Sequence, residues 1–238
     1  MRTNLLGTVI MAGTLGVAGA GCAAGGGEDS GPDAAVGAAD LIDDLDDGDD
    51  AILEANGRLG GWYTFNDETM TGTQMPPGTG FSPTAGGADG TPYAAGTTGS
   101  GFTEWGAGMG FDLNNPEAVG MTGSRSKYDA SRYKVLAFKA KGNVDVRVAV
   151  ETSAVTPTDR GGSCTPSTTM GQECEDLHGV KLELTADWKE YQVPFAMMRQ
   201  GGWGKPATFE PTEAIAVLFL VDKDLQFDFA VDDVRFYE

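Results

Sequence analysis

The chain is expected to fold as a two-sheet antiparallel β-sandwich, and three observations point there. Roughly ten short stretches alternate apolar and polar residues or run continuously apolar, as strands do. No segment sustains the 3.6-residue period of an amphipathic helix. With 36 Gly and 11 Pro among 238 residues, the connections are many and tight, which suits an all-β architecture.

The strand candidates follow in order. Residues 41–50 (LIDDLDDGDD) open the series by mixing carboxylates with apolar positions. Trp62–Asn66, Phe102–Trp105 and Met109–Leu113 are short candidates, and residues 70–100, rich in Gly, Thr and Pro, read as a long irregular excursion. Lys134–Ala140 and Val144–Glu151 are the clearest alternators. In the second, Val144, Val146, Val148 and Val150 share one face, while Asp145, Arg147, Ala149 and Glu151 share the other. Val180–Leu184 and Trp188–Val193 come next, the latter closed by Pro194 and placing Trp188 and Tyr191 in the core. Ala214–Val221 is apolar throughout, as in a strand covered on both faces. Phe227–Tyr237 (FDFAVDDVRFY) ends the chain's pattern in the period of a strand.

Residues 1–21 read as a leader. Arg2 is followed by the apolar stretch Leu5–Val17 and by small residues before Cys22. The stretch is too short and glycine-rich for a membrane span. Cys22 after small residues resembles a bacterial lipobox, with Gly19 where that motif commonly has Leu; cleavage after Ala18-Gly19-Ala20 is the competing assignment. Residues 22–40 then form a flexible acidic tether, and residues 41–238 the folded domain. Either assignment places the protein outside the cytoplasm: lipid-anchored at a bacterial envelope membrane, with the outer membrane favoured, or secreted. Contact with the membrane is then expected only through the anchor. In that oxidising setting Cys164 and Cys174, flanking a polar loop, are expected to form a disulfide.

A formal charge of −19 repels phosphate backbones and excludes nucleic acid as a natural partner. Pairing the two acidic segments at the domain ends would crowd carboxylates at one seam, which a hard cation such as Ca²⁺ would relieve. The alternative is a solvated acidic linker beside an ordinary last strand.

The order of Asp43–Asp49, Trp62–Asp67, Gly106–Leu113 and Val231–Phe236 resembles the galactose-binding-like jelly rolls, and among them the family-eleven carbohydrate-binding modules. The resemblance covers about residues 40–238. It implies a jelly roll with a structural Ca²⁺, for which Asp46 and Asp232 are the matching ligands and Asp44 and Asp49 secondary ones. Such modules commonly carry Glu at the position of Asp46. The resemblance also implies a concave face that receives a β-glucan chain.

Sugars are held by aromatic stacking and by planar polar side chains. Arg147 and Glu151 point away from the valine face and are candidates, with Asp176 and His178, the single histidine, beside them. Trp62, Tyr63, Tyr93, Trp105 and Trp203 are the candidate platforms. The expected function is non-catalytic binding of a neutral polysaccharide by a monomeric envelope lipoprotein. Two other classes stand beside it: an envelope structural or protein-interaction domain without sugar ligand, and a glycoside hydrolase using a carboxylate pair such as Glu151 and Asp176.

Overall fold

A computed structural model describes residues 39–78, 80–116 and 125–238. The expected leader, Cys22 and most of the tether lie outside these residues. Twelve strands are present among the described residues: β1 (Ala39–Asp43), β2 (Trp62–Asn66), β3 (Thr73–Met75), β4 (Thr84–Ala85), β5 (Tyr93–Ser100), β6 (Gly106–Asp112), β7 (Val135–Gly142), β8 (Asp145–Thr152), β9 (His178–Glu183), β10 (Lys189–Pro194), β11 (Ala214–Asp222) and β12 (Phe227–Tyr237). They form two antiparallel sheets, one ordered β10-β7-β12-β5-β3 with β1 beside β12 and β4 beside β5, the other β2-β6-β11-β8-β9. The architecture is the two-sheet sandwich that the strand pattern predicts.

The core lies between the sheets and follows the alternation. Val146, Val148 and Val150 of β8 face it, with Met109 and Phe111 of β6 and Val217, Phe219 and Val221 of β11 on the same side. From the other sheet come Leu136, Phe138, Phe229, Val231 and Phe236. Phe138 meets Phe219 edge-on across the gap, ring centres 5.1 Å apart. β11 is buried on both faces, as its unbroken apolar run requires.

Three expectations are corrected. The excursion over residues 70–100 contains β3, β4 and the eight-residue β5, which lies between β12 and β3. Its glycines hide the strand pattern because neighbouring side chains take their space. A Cβ on Gly99 would lie 2.5 Å from the Phe227 ring, and one on Gly96 2.5 Å from the Thr84 hydroxyl. Phe102–Trp105 is a loop, in which Phe102 is buried against Phe227. Trp188 precedes β10 and is half-buried, with the Lys141 ammonium 4.6 Å over its ring, whereas Tyr191 is in the core as expected.

β1 pairs with the last half of β12, Ala39 opposite Tyr237 and Asp43 opposite Val234. Strand pairing thus begins at Ala39, two residues inside the expected tether. Asp40 explains why: its carboxylate takes two hydrogen bonds from the buried Arg58 guanidinium, at 2.8 and 2.9 Å. Arg58 and Tyr133 hold the Asp40 carboxyl well below the usual range, against the opposing effect of desolvation.

Candidate functional site

Strand register builds the outer face of the five-stranded sheet in three ranks. The first is Asp112–Ala216–Glu151. The second is Tyr63–Gly110–Leu218–Ala149–Gly179, and the third Phe65–Gly108–Leu220–Arg147–Lys181. Alternation alone makes all three solvent-facing, yet the ranks differ sharply.

The first two ranks are closed. Arg125, from the connection between β6 and β7, lies over them with its side chain fully buried. Its Nε donates to Asp112 at 2.9 Å and its Nη2 to Glu151 at 2.5 Å. The Tyr63 hydroxyl and the Asn115 amide also donate to Asp112. Burial pushes the Tyr63 phenol well up, with the Asp112 charge adding to it, and burial raises the Asp112 carboxyl too. Leu177 packs against the outer cluster that holds Tyr63 and Leu218. Glu151 and Tyr63 do lie on the outer face, but a ligand cannot reach them.

The third rank is open. Trp105 is 48% exposed and rests on Phe65, ring centres 6.0 Å apart. Leu220 and Arg147 are half-buried and Lys181 is exposed. Gly108 leaves room for this arrangement, since a Cβ there would lie 2.8 Å from the Phe65 ring. Asp67 fixes the Trp105 loop: its Oδ2 accepts the N–H groups of Glu104, Trp105 and Gly106 at 2.9–3.0 Å. Hydrogen bonds from Thr69 and these amides outweigh partial desolvation and hold the Asp67 carboxyl well below the usual range. In the sequence Asp67 stands only within the family-like pattern; the Asn66-Asp67 pair at the end of β2 is the local signal for a loop-building carboxylate. Arg147 donates through Nη2 to the carbonyls of Leu177 and Arg199, at 2.8 and 2.7 Å. Its Nε and Nη1 make no hydrogen bond among the described residues.

The remaining candidates fall elsewhere. Trp62 is core, 1% exposed, its ring 4.7 Å from that of Phe111 and its Nε1 donating to Asp43 at 2.7 Å. The odd-even choice between Trp62 and Tyr63 puts Trp62 inward. Asp176 is buried and builds a turn. Its carboxylate accepts the backbone N–H groups of Gly201, Gly202, Trp203 and Gly204 at 2.6–3.1 Å. That turn presents Trp203, which is 52% exposed. A Cβ on Gly204 would come 2.6 Å from the Asp176 side chain, so the glycine is required there. His178 pairs with Val150, on the inward side of β9. Its Nε2 lies 3.0 Å from the Ala207 carbonyl, its ring 5.5 Å from Phe209, and burial lowers its pKa. With Phe195, Met198 and Phe209 it lines a cleft of about 620 Å³. It therefore stands apart from the Arg147 rank. Tyr93 is 38% exposed and lies against Gly48, on the other sheet. Cys164 and Cys174 are disulfide-bonded, as expected, with Cα atoms 5.9 Å apart.

Near the seam of β1 and β12, protein donors occupy three of the four expected metal ligands, Asp232, Asp44 and Asp49. Asp232 is buried, and its carboxylate accepts from the Ala88 N–H at 2.7 Å, the Thr91 hydroxyl at 3.2 Å and the Asp233 N–H at 2.7 Å. Asp44 accepts from the Asp46 N–H and Asp49 from the Ala51 N–H. Among the described residues no group of three or more His, Cys, Asp or Glu side chains is gathered to hold a metal. The carboxylates are nonetheless crowded. Burial pushes Asp43 up to about 7, with Asp47 and Asp44 adding to it. Partial desolvation and the charges of Asp44, Asp233 and Asp47 raise Asp46.

No protein-family profile matches the chain, and no curated protein sequence matches it. Solved structures do share the fold. One is a family 11 carbohydrate-binding module of a cellulosomal cellulase of Clostridium thermocellum, at 14% identity and a TM-score of 0.54, covering 84% of this chain and 94% of the module. A family 30 carbohydrate-binding module matches at 12% identity and a TM-score of 0.52, covering 84% of this chain and 98% of that one.

Proposed function

We propose that the protein binds a neutral polysaccharide, of the β-glucan class, without catalysing a reaction on it. The observation that carries this is the open third rank: a half-exposed indole, an apolar floor at Leu220 and a guanidinium with free donors, in line across one sheet face. An indole stacks on the C–H face of a pyranose, and Arg147 donates to its hydroxyls. Adjacent hydrophobic and hydrogen-bonding groups are what a sugar presents in return. That other sandwiches of this architecture are carbohydrate-binding modules adds support at the level of fold. Against hydrolysis stand the buried ion pair of Glu151 with Arg125 and the four backbone bonds of Asp176, which commit both carboxylates to structure.

A shallow strip that must displace the sugar's hydration supports micromolar affinity at best, about −8 kcal/mol. Isothermal titration with mixed-linkage β-glucan oligosaccharides and cello-oligosaccharides tests the proposal, and Trp105→Ala should abolish most of the heat. Binding that survives both Trp105→Ala and Arg147→Ala would place the site elsewhere. Absence of binding across a broad glycan array would favour a structural or protein-interaction role.

The export and metal assignments are proposals of the same standing. Small residues before Cys22 support a lipid anchor at a bacterial envelope membrane, and intact mass of membrane-extracted protein would reveal it. The crowding of Asp44, Asp46, Asp47 and Asp233 supports a cation at the seam. Ca²⁺ would have to compete with the donors now on Asp232. An unchanged melting temperature between millimolar calcium and chelator would dispose of it. Light scattering tests the expected monomer.

A further inference from the structure

We propose a second saccharide site on the opposite sheet, in a polar groove at the ends of β3, β5 and β12 that accepts a single neutral sugar residue. The groove has a volume of about 360 Å³ and is lined by Thr98, Ser100, Asn143, Gln226 and Asp228, with Met75 beside them. That volume lies in the range of pockets that hold small organic ligands.

The groove gathers solvent-exposed hydrogen-bonding groups around one concavity. The hydroxyls of Thr98 and Ser100, the amide of Gln226 and the carboxylate of Asp228 make no side-chain hydrogen bond among the described residues. Asn143 accepts the Asp228 N–H through Oδ1 at 2.9 Å, which orients its NH₂ group and leaves it free to donate. One wall is rigid. Gln74 is buried and bonded on both sides, accepting from Asn66 and donating to Thr97 and the Gly108 carbonyl. Phe227 lies buried beneath the groove, and Met75, 63% exposed, is its adaptable apolar partner for a ligand.

This donor and acceptor set selects its ligand. No Lys or Arg lines the groove, and the chain's charge of −19 repels anions. One carboxylate alone does not hold a hard cation, which takes six or more oxygens. A polyol presents both donors and acceptors: amides and hydroxyls answer either, and Asp228 accepts from a vicinal diol. The exposed, apolar Met75 matches the C–H face of a pyranose. The groove belongs to the seven-stranded sheet, whereas the Trp105–Arg147 rank belongs to the five-stranded one, so the two sites stand or fall separately. Together they would let one molecule engage two segments of polysaccharide and gain by effective concentration.

The test is a titration of the ¹⁵N-labelled full chain with cellobiose and, separately, mannobiose at millimolar concentration, followed by NMR. The side-chain amide signals of Gln226 and Asn143 report the groove, and the Trp105 indole N–H reports the other face. Saturable shifts of the two amides are expected with at least one disaccharide. Gln226→Ala with Asp228→Ala, read on the remaining Asn143 amide, should weaken that titration about tenfold and leave the Trp105 titration unchanged. Movement of Trp105 alone would overturn the second site and leave the proposed function standing. Movement of the amides alone would do the reverse, and an Asn143 amide titration unweakened by the double substitution would also overturn the groove.

Discussion

The closed and open ranks on the outer face of the five-stranded sheet come from the same strands and the same alternation. Glu151 and Arg147 are four residues apart on β8 and point the same way. One is buried beneath Arg125 in an ion pair, and the other is half-exposed with donors to spare. The lesson is that alternation assigns a face, while loops from distant parts of the chain decide how much of that face water reaches. Closure makes Tyr63, Ala216 and Leu218 of the first ranks part of a second small core, which Ile215 and the buried Phe65 at the edge of the third rank complete. Openness leaves the third rank available for a ligand.

The most severe way to break this contrast is Arg125→Ala. It leaves Asp112 and Glu151 buried without their cation, and loss of one partner from a buried pair costs about 3–5 kcal/mol. Urea denaturation should register that loss. A change below about 1 kcal/mol would mean the closed ranks are not held by this pair.

Reduction of the Cys164–Cys174 bond, or replacement of both by Ser, comes next. The bond closes a loop of sequence separation 10, for which the chain-entropy model predicts about 2–3 kcal/mol. The loop leads to Asp176 and Leu177, so its loosening should also disturb the Arg147 carbonyl contacts. A thermal midpoint identical with and without reductant would show the loop is held by its packing instead.

In the open rank the expected effects are smaller and of a different kind. Trp105→Ala and Arg147→Ala should each cost about tenfold or more in glycan affinity, about 1.4 kcal/mol. Trp105→Ala should change stability by no more than about 0.5 kcal/mol, as surface substitutions do. If Trp105→Ala instead lowers stability by several kcal/mol and leaves the affinity of the folded protein unaltered, the two halves are not functionally distinct.

His178 gives the smallest effect. Burial lowers its pKa in the folded state, so the unfolded chain binds a proton first as pH falls through about 6.5. The histidine therefore contributes stability at neutral pH that is progressively lost toward pH 5.5. His178→Phe should remove that component of the slope between pH 7.5 and 5.5, read as the difference between the two proteins. An identical slope in both would show that the imidazole titrates freely.

Legibility differed between fold and site for a physical reason. The alternation in Lys134–Ala140, Val144–Glu151 and Phe227–Tyr237 is a local property, and each became a strand, β8 with its predicted valine face inward. β5 was not legible, because its glycines carry no periodicity and are demanded by Phe227 and Thr84, residues far away in sequence. In the site, Arg147 and Trp105 were named from their types and positions. Arg125 was not, since nothing in its polar surroundings signals that it will be the fully buried cation of the outer face.

By itself the amino-acid sequence determined the sandwich, the disulfide and the side of β8 on which Arg147 stands. Each follows from period, composition or a short spacing. That the first strand pairs with the last was one of two alternatives until the structure showed it. Only the tertiary structure decided that Trp62 is core and Tyr63 covered, that Asp176 and His178 serve a turn and an inner edge, and that Glu151 is sealed while Arg147 is open. Those outcomes depend on which loop lies over which rank. Solvent access is a sum over neighbours brought together by folding, so it is not a property that any one segment carries.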